Sequence, residues 1–244
     1  MELRDISNTV AVITGASIGI GQAAARALVK ESVNVVLAAR SRDKIMKLAE
    51  ELGERVTAKA VNVANADAVQ RLFAEVKEQF GGVDLLFNNA GVGYYNPFEK
   101  STRDEWQEMI DANLYGLLNC TQAAIPLMRG RRGAMICSVA SVAGRHGMPG
   151  FSVYSATKFA VVGFHDALRK ELGESGIRVS LIEPGAVYTN WGYNVPADKM
   201  KERRDGLEAL HAEDVADALV YAYAQPGNVN LQELLIMPTR QVVP

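Results

Sequence analysis

Residues 10 to 40 read VAVITGASIGIGQAAARALVKESVNVVLAAR: a β-branched run, a glycine-rich turn, an alanine-rich helical segment and a second β-branched run. Both runs are apolar at successive positions, the pattern of strands covered on two faces, and the segment between them is long enough to cross over and lay them side by side in parallel. The alternation continues along the chain. VTAKAV (56 to 61), VDLLFN (83 to 88), AMICSV (134 to 139), RVSLIE (178 to 183) and LQELLIM (231 to 237) read as further strands separated by helix-length segments. With VAVIT (10 to 14) and VNVVLAA (33 to 39) they make seven. The pattern predicts one doubly wound α/β domain of Rossmann type over residues 1 to 244, a seven-stranded parallel sheet flanked by helices.

The 244 residues are 48% apolar and 22% charged, with 26 Lys and Arg against 28 Asp and Glu, a formal net charge of −2. A chain of that length and content buries a core without staples, and it is too apolar for a disordered protein. Near-neutrality removes any general attraction to nucleic acid or anionic lipid, so neither partner is expected and a charged ligand must be held locally. Cys120 and Cys137 stand in apolar runs without CxxC or Cys/His spacing, which predicts buried free thiols and no metal site. The opening MELRDISN has no apolar core or small-residue cleavage site, and no run approaches the ~18 apolar residues of a membrane span. The expectation is a soluble cytoplasmic protein.

In such a sheet ligands bind beyond the carboxyl ends of the strands. Five segments lie there: Gly15 to Gly21, Arg40 to Arg42, Asn88 to Tyr95, Ser138 to Met148 and Pro184 to Trp191. In TGASIGIG (14 to 21), Gly15, Gly19 and Gly21 let the backbone turn tightly and approach a pyrophosphate at the start of the helix that follows. The spacing is GxxxGxG rather than GxGxxG, and a strand-to-helix turn alone can call for glycine. An NAD-selective site would place a carboxylate at the end of the second strand, about 20 residues on, to bind the ribose hydroxyls. Ala39 and Arg40 stand there instead, and a guanidinium can pair with the extra phosphate of NADP(H). Solvated helix-start residues are the plainer reading of Arg40 and Arg42.

SVYSATKFAVVGFHDALRKEL (152 to 172) reads as a long helix on which Tyr154 and Lys158, four apart, share a face. A phenol has a pKa near 10, and a neighbouring ammonium favours its ionised form, which makes such a pair a candidate general acid/base. By itself the pairing is common on helix surfaces. Ser141 lies thirteen residues earlier, after the fifth strand, where its hydroxyl could bond a carbonyl oxygen beside the phenol. Asn113 sits among Trp106, Ile110, Leu114 and Leu117, an apolar helical stripe. Its amide must find backbone partners or an internal water chain.

TGASIGIG at 14, NNAG at 88, Asn113, Ser141, YSATK at 154 and PGAVYT at 184, in that order, resemble the short-chain dehydrogenase/reductase family over almost the whole chain. The resemblance implies that Tyr154 is the acid/base, that Lys158 lowers its pKa and holds the nicotinamide ribose, that Ser141 orients the substrate oxygen, and that Asn113 supports a water-linked proton relay. It implies NADP(H) bound by Gly15, Ser17, Ile18, Gly19, Ile20 and Gly21, by Arg40 and Ser41, and by Asn62 and Val63 beside the adenine. Asn89, Ala90 and Gly91, then Pro184, Gly185, Val187 and Thr189, with Tyr154 and Lys158, complete the implied cofactor site, Asn89 also steadying the sheet. Asn62 stands where Asp is usual and Ala140 where a further serine is frequent; neither departure touches the chemistry.

Tyr94, Tyr95, Met148, Tyr188, Trp191 and Tyr193, with Ser141 and Tyr154, predict a pocket for a small apolar or aromatic ketone or secondary alcohol, although such rings can equally pack a lid or a subunit contact. Arg145 or His146 could bind a substrate carboxylate or face water. Residues 190 to 212, with the charged run DKMKERRDGLE, are expected to form a short lid. Ala156, Ala160, Gly163 and Ala167 make a small-residue stripe suited to packing on the sheet or to contact between copies, and the resemblance favours a homodimer or homotetramer. Two classes of function follow: an NADP(H)-dependent carbonyl reductase or alcohol dehydrogenase, and a non-catalytic NADP(H)-binding sensor or scaffold. The presence of both Tyr154 and Lys158 favours the first.

Overall fold

The computed structural model describes residues 3–189, 192–195, 198, 201 and 205–242. Seven strands, β1 (Val10–Thr14), β2 (Asn34–Ala39), β3 (Val56–Ala60), β4 (Leu85–Asn88), β5 (Met135–Val139), β6 (Arg178–Pro184) and β7 (Glu233–Ile236), form one parallel sheet in the order β3-β2-β1-β4-β5-β6-β7. All seven expected strands are present, most of them a residue or two shorter than the apolar runs. Those runs extend past the last ladder bond because the connecting turns are buried too, as at Val33 and Val83.

Period-two alternation sorts each strand between two cores. Ala11, Ile13, Val35, Leu37, Leu85 and Phe87 pack beneath α1 (Gly19–Lys30), α2 (Arg42–Leu52) and α7 (Ala212–Tyr223). Val10, Val12, Val36, Ala38 and Leu86 face α3 (Ala66–Phe80), α5 (Gly116–Met128) and α6 (Ser152–Leu172). Cys137 and Cys120 fall one in each core, both buried and free, and burial pushes the Cys120 thiol up to about 12, so it stays protonated. Ala23, Ala24 and Ala25 let α1 lie close against Ala216 and Leu219 of α7.

The helix carrying Asn113 is not uniform. After α4 (Arg103–Ile110), capped by the reciprocal Thr102 and Glu105 bonds, a π-helical turn spans Asp111–Tyr115 and leads into α5. The wider turn shifts the buried face to Met109, Asn113 and Leu117, leaving Trp106, Ile110 and Leu114 only partly covered. Strand order reverses between β1 and β4, and the helices that follow them, α1 and α5, pack on opposite faces of the sheet. A crevice opens there.

Candidate active site

The cleft holds about 880 Å³, within the range of small-molecule and cofactor sites, and receives the loops after β1, β2, β3, β4, β5 and β6. Of the residues expected to hold cofactor, Gly21 alone does not line it. A side chain at Gly21 would strike the Gly15 carbonyl and the Asn89 amide, so its role is packing within the loop.

At the first loop Gly15 has φ +64°, and a Cβ there would lie 2.8 Å from Ala90 Cα. This brings the β1 and β4 loops into contact, and Asn89 fastens them by donating from Nδ2 to the carbonyls of Thr14 and Gly15, both at 3.1 Å. Helix α1, with Ile18 as its N-cap, has no side-chain cap and no acid in its first turn. Its free N–H groups and positive dipole end therefore face the cleft, a ready seat for a diphosphate. At the end of β2, Arg40 is 58% exposed in its side chain and Ser41, the N-cap of α2, makes no capping bond. Lys44 lines the cleft beside them. These residues fit a phosphorylated adenosine ribose. Asn62 also lines the cleft, its Oδ1 accepting from the Ala64 N–H at 3.1 Å.

The chemical end is formed by β5 and α6. Ser141 caps a short 3₁₀ turn (Val142–Gly144), its Oγ accepting from the Ala143 N–H at 3.1 Å and its side chain bonded to Tyr154. Tyr154 and Lys158 project from the buried face of α6. Lys158 donates from Nζ to the Val139 carbonyl at 2.8 Å and stands 5.6 Å from the centre of the Tyr154 ring. Burial pushes the phenol above its ordinary value, against the pull of the Ser141 bond, and lowers Lys158 to about 8. The expected lowering of Tyr154 by Lys158 is not found: the ammonium is held by the Val139 carbonyl, 5.6 Å from the ring centre. Behind this group Asn113 accepts from the Val92 N–H at 2.8 Å and donates to the Val92 carbonyl at 2.9 Å and to Thr157 Oγ1 at 3.0 Å. The amide finds backbone and side-chain partners, and it ties the β4 loop to α6.

The substrate end is walled by Val92, Tyr95, Met148, Phe151 and Tyr193. Tyr94 is not among them. Its hydroxyl donates to Glu108 Oε2 at 2.5 Å and its ring stacks on Tyr193 at 4.8 Å, so it turns away and leaves the wall to Tyr95. Tyr188 likewise leaves the cleft, bonding Asp205 at 3.1 Å and stacking on His211 at 5.3 Å beside a second, shallower cavity. In a loop the sequence gives a residue's place but not the direction of its side chain. Trp191 and much of the expected lid at 190 to 212 lie outside the described residues. Arg145 is committed elsewhere, pairing with the buried carboxylate of Glu183 at 2.8 and 2.9 Å and with Glu233 at 2.6 Å, while His146 is exposed. Glu108, Gln107 and Asp111 on the α4 side and Gln241 near the chain's end also line the cleft. Sequence gave no sign of them, because a polar residue on an amphipathic helix or in a tail reads as solvated.

Comparison with known proteins agrees with this fold. The family model described as short chain dehydrogenase matches residues 9–200. Over 236 residues the chain is 36% identical to an uncharacterized oxidoreductase of Staphylococcus aureus, covering 96% of this chain and 98% of that one. It is 38% identical over 239 residues to the glycine betaine reductase ATRR of Emericella nidulans, covering 96% of this chain but only 19% of that much longer protein. Among solved structures, the closed form of a serine dehydrogenase complexed with NADP+ superposes with a TM-score of 0.92 at 30% identity, covering 96% of this chain and 97% of that one. The chain belongs to the short-chain dehydrogenase family and is an oxidoreductase of that type. Among the described residues no helix is long and apolar enough to cross a membrane.

Proposed function

We propose that this protein is an NADP(H)-dependent carbonyl reductase or alcohol dehydrogenase acting on a small, uncharged, apolar or aromatic ketone or its secondary alcohol. One observation carries the reading: Ser141, Tyr154 and Lys158 meet at one end of a cleft whose other end presents Arg40 and an uncapped helix start. The loop at Gly15 to Ile20 and the α1 N-terminus would hold the diphosphate, Arg40 and Ser41 the ribose phosphate, and Lys158 the nicotinamide ribose. Pro184, Gly185, Val187 and Thr189 would border the nicotinamide. Bound in this way, the cofactor supplies or accepts the hydride.

The chain's own part is positioning and proton transfer. Ser141 and Tyr154 hydroxyls converge where a carbonyl oxygen would sit, so both can donate to it, and the donation strengthens as negative charge builds on that oxygen. Tyr154, kept protonated by burial, then passes its proton to the oxygen. Lys158, charged below about pH 8, counters the charge left on the phenol. Tyr95, Phe151 and Met148 exclude water around the reacting carbon. With Arg145 engaged by Glu183 and Glu233, and Asp104 and Asp111 on the α4 side, the cleft disfavours carboxylate substrates. The working unit is a homodimer or homotetramer.

NADPH oxidation followed against a panel of aldehydes, ketones, diketones, 3-oxoesters and quinones tests the reading. Tyr154→Phe should abolish nearly all turnover of any active substrate while leaving NADPH binding intact. Normal turnover in that variant, or no oxidation of NADPH with any member of the panel, would overturn it.

A further inference from the structure

We propose that Gln241 is a positioning residue for the cofactor cleft, fixing the loop after β6 through the Ala186 amide. The inference rests on the reading that Pro184 to Thr189 border the nicotinamide. Gln241 is buried, lines the cleft, and accepts from the Ala186 N–H through Oε1 at 2.8 Å. Its Nε2 is buried without a partner among the described residues, and among these the bond to Ala186 is what orients the amide. A side chain present only to fill space would avoid burying an unpaired donor. The residue is there for its oxygen.

Gly185 shows how closely the two segments are matched. It has no left-handed conformation to account for a glycine, yet a Cβ on it would lie 2.5 Å from Gln241 Oε1 and 3.1 Å from Pro238 Cδ. The missing side chain is the space through which the Gln241 amide reaches Ala186. The Gly185 N–H is bonded to the Ile236 carbonyl at 2.8 Å, and the Ala186 carbonyl accepts from the Leu210 N–H at 3.0 Å. Three separate parts of the chain, β7, the tail and the segment before α7, therefore grip two adjacent residues through three successive peptide groups. Of these, the tail's grip is the one made by a side chain, and it can be altered by substitution.

Amide hydrogen exchange of the cofactor-free protein and NADPH titration test the proposal together. Gln241→Met keeps the volume and removes the acceptor; it should speed Ala186 exchange at least tenfold and raise the Kd for NADPH about fivefold or more. Gln241→Glu keeps an acceptor and should hold Ala186 exchange near the wild-type rate. Should Gln241→Met fold poorly, Gly185→Ala, which crowds the same oxygen from the other side, should reproduce fast exchange at Ala186. Slow exchange at Ala186 in the Met variant, or unchanged NADPH affinity, would overturn the positioning role. Failure of the wild-type protein itself to bind NADPH would instead remove the proposed function.

Discussion

Arg40 and Glu108 face each other at 3.1 Å across the end of the cleft where the adenosine of a dinucleotide would lie. An exposed pair of this kind contributes only ~0–1 kcal/mol, whereas a phosphate offers a doubly charged, two-pronged partner for the same guanidinium. Glu108 is therefore a weak competitor for the site that the cofactor phosphate would occupy. Arg40→Ala should raise the Kd for NADPH by about ten- to a hundredfold and leave NADH nearly unchanged, the loss expected for a charge-assisted contact. Glu108→Gln should act in the opposite direction, tightening NADPH by about two- to fivefold. Fluorescence titration of both nucleotides against both variants is the measurement, and equal effects on NADPH and NADH would refute the assignment. Arg40 was legible as a cleft residue because it directly follows the second strand; Glu108 was not, since nothing in RDEWQEMI distinguishes a cleft-facing glutamate from a solvated one.

At the scale of elements, α6 was legible to its end residues, Ser152 and Leu172, and with it the shared face of Tyr154 and Lys158. The π turn was not, because one extra residue per turn leaves the helical pattern of α4 and α5 intact while moving Asn113 onto the buried face. Nor did the sequence foretell that Tyr94 and Tyr188 turn away, because hydrogen bonds to distant carboxylates decide those directions. Helix α6 also carries a buried histidine. His165 Nδ1 is 3.0 Å from the Val161 carbonyl, its Nε2 has no partner, and burial together with the nearby Arg169 charge lowers its pKa to about 4 despite the carbonyl bond. The folded state thus prefers the neutral ring, and the unfolded chain takes up a proton below its ordinary pKa of ~6.5. This contribution to stability is complete above that pH and is lost as pH falls toward 4. Between pH 7.5 and 5 the loss should be about 2 kcal/mol, read as a fall in unfolding free energy that His165→Gln flattens. An equal pH slope in wild type and variant would show that the ring does not titrate in this way.

At the scale of the molecule, Ala156, Ala160, Gly163 and Ala167 prove to be exposed, so the small-residue stripe of α6 is not what packs on the sheet. Phe159 beside it is 47% exposed and Tyr115, at the start of α5, 52%. Rings standing among small residues on an outward face suit a two-fold contact between copies. Phe159→Asp should shift the protein toward monomer in sedimentation at micromolar concentration without lowering its helix content; an unchanged oligomer, or a wild-type monomer, would count against that contact. The reversal of strand order has a consequence for folding itself. Ala11 pairs with Leu85, a far longer reach along the chain than Ala11 with Val35, so closing the β1–β4 seam carries the largest loop-entropy cost of the adjacent strand pairs, about 1 kcal/mol more than β1–β2. A dinucleotide seated at that seam would touch both halves of the sheet and bind only when they are docked. Its free concentration then becomes a variable of conformational stability, and the melting temperature should climb with the logarithm of the ligand once the site is saturated.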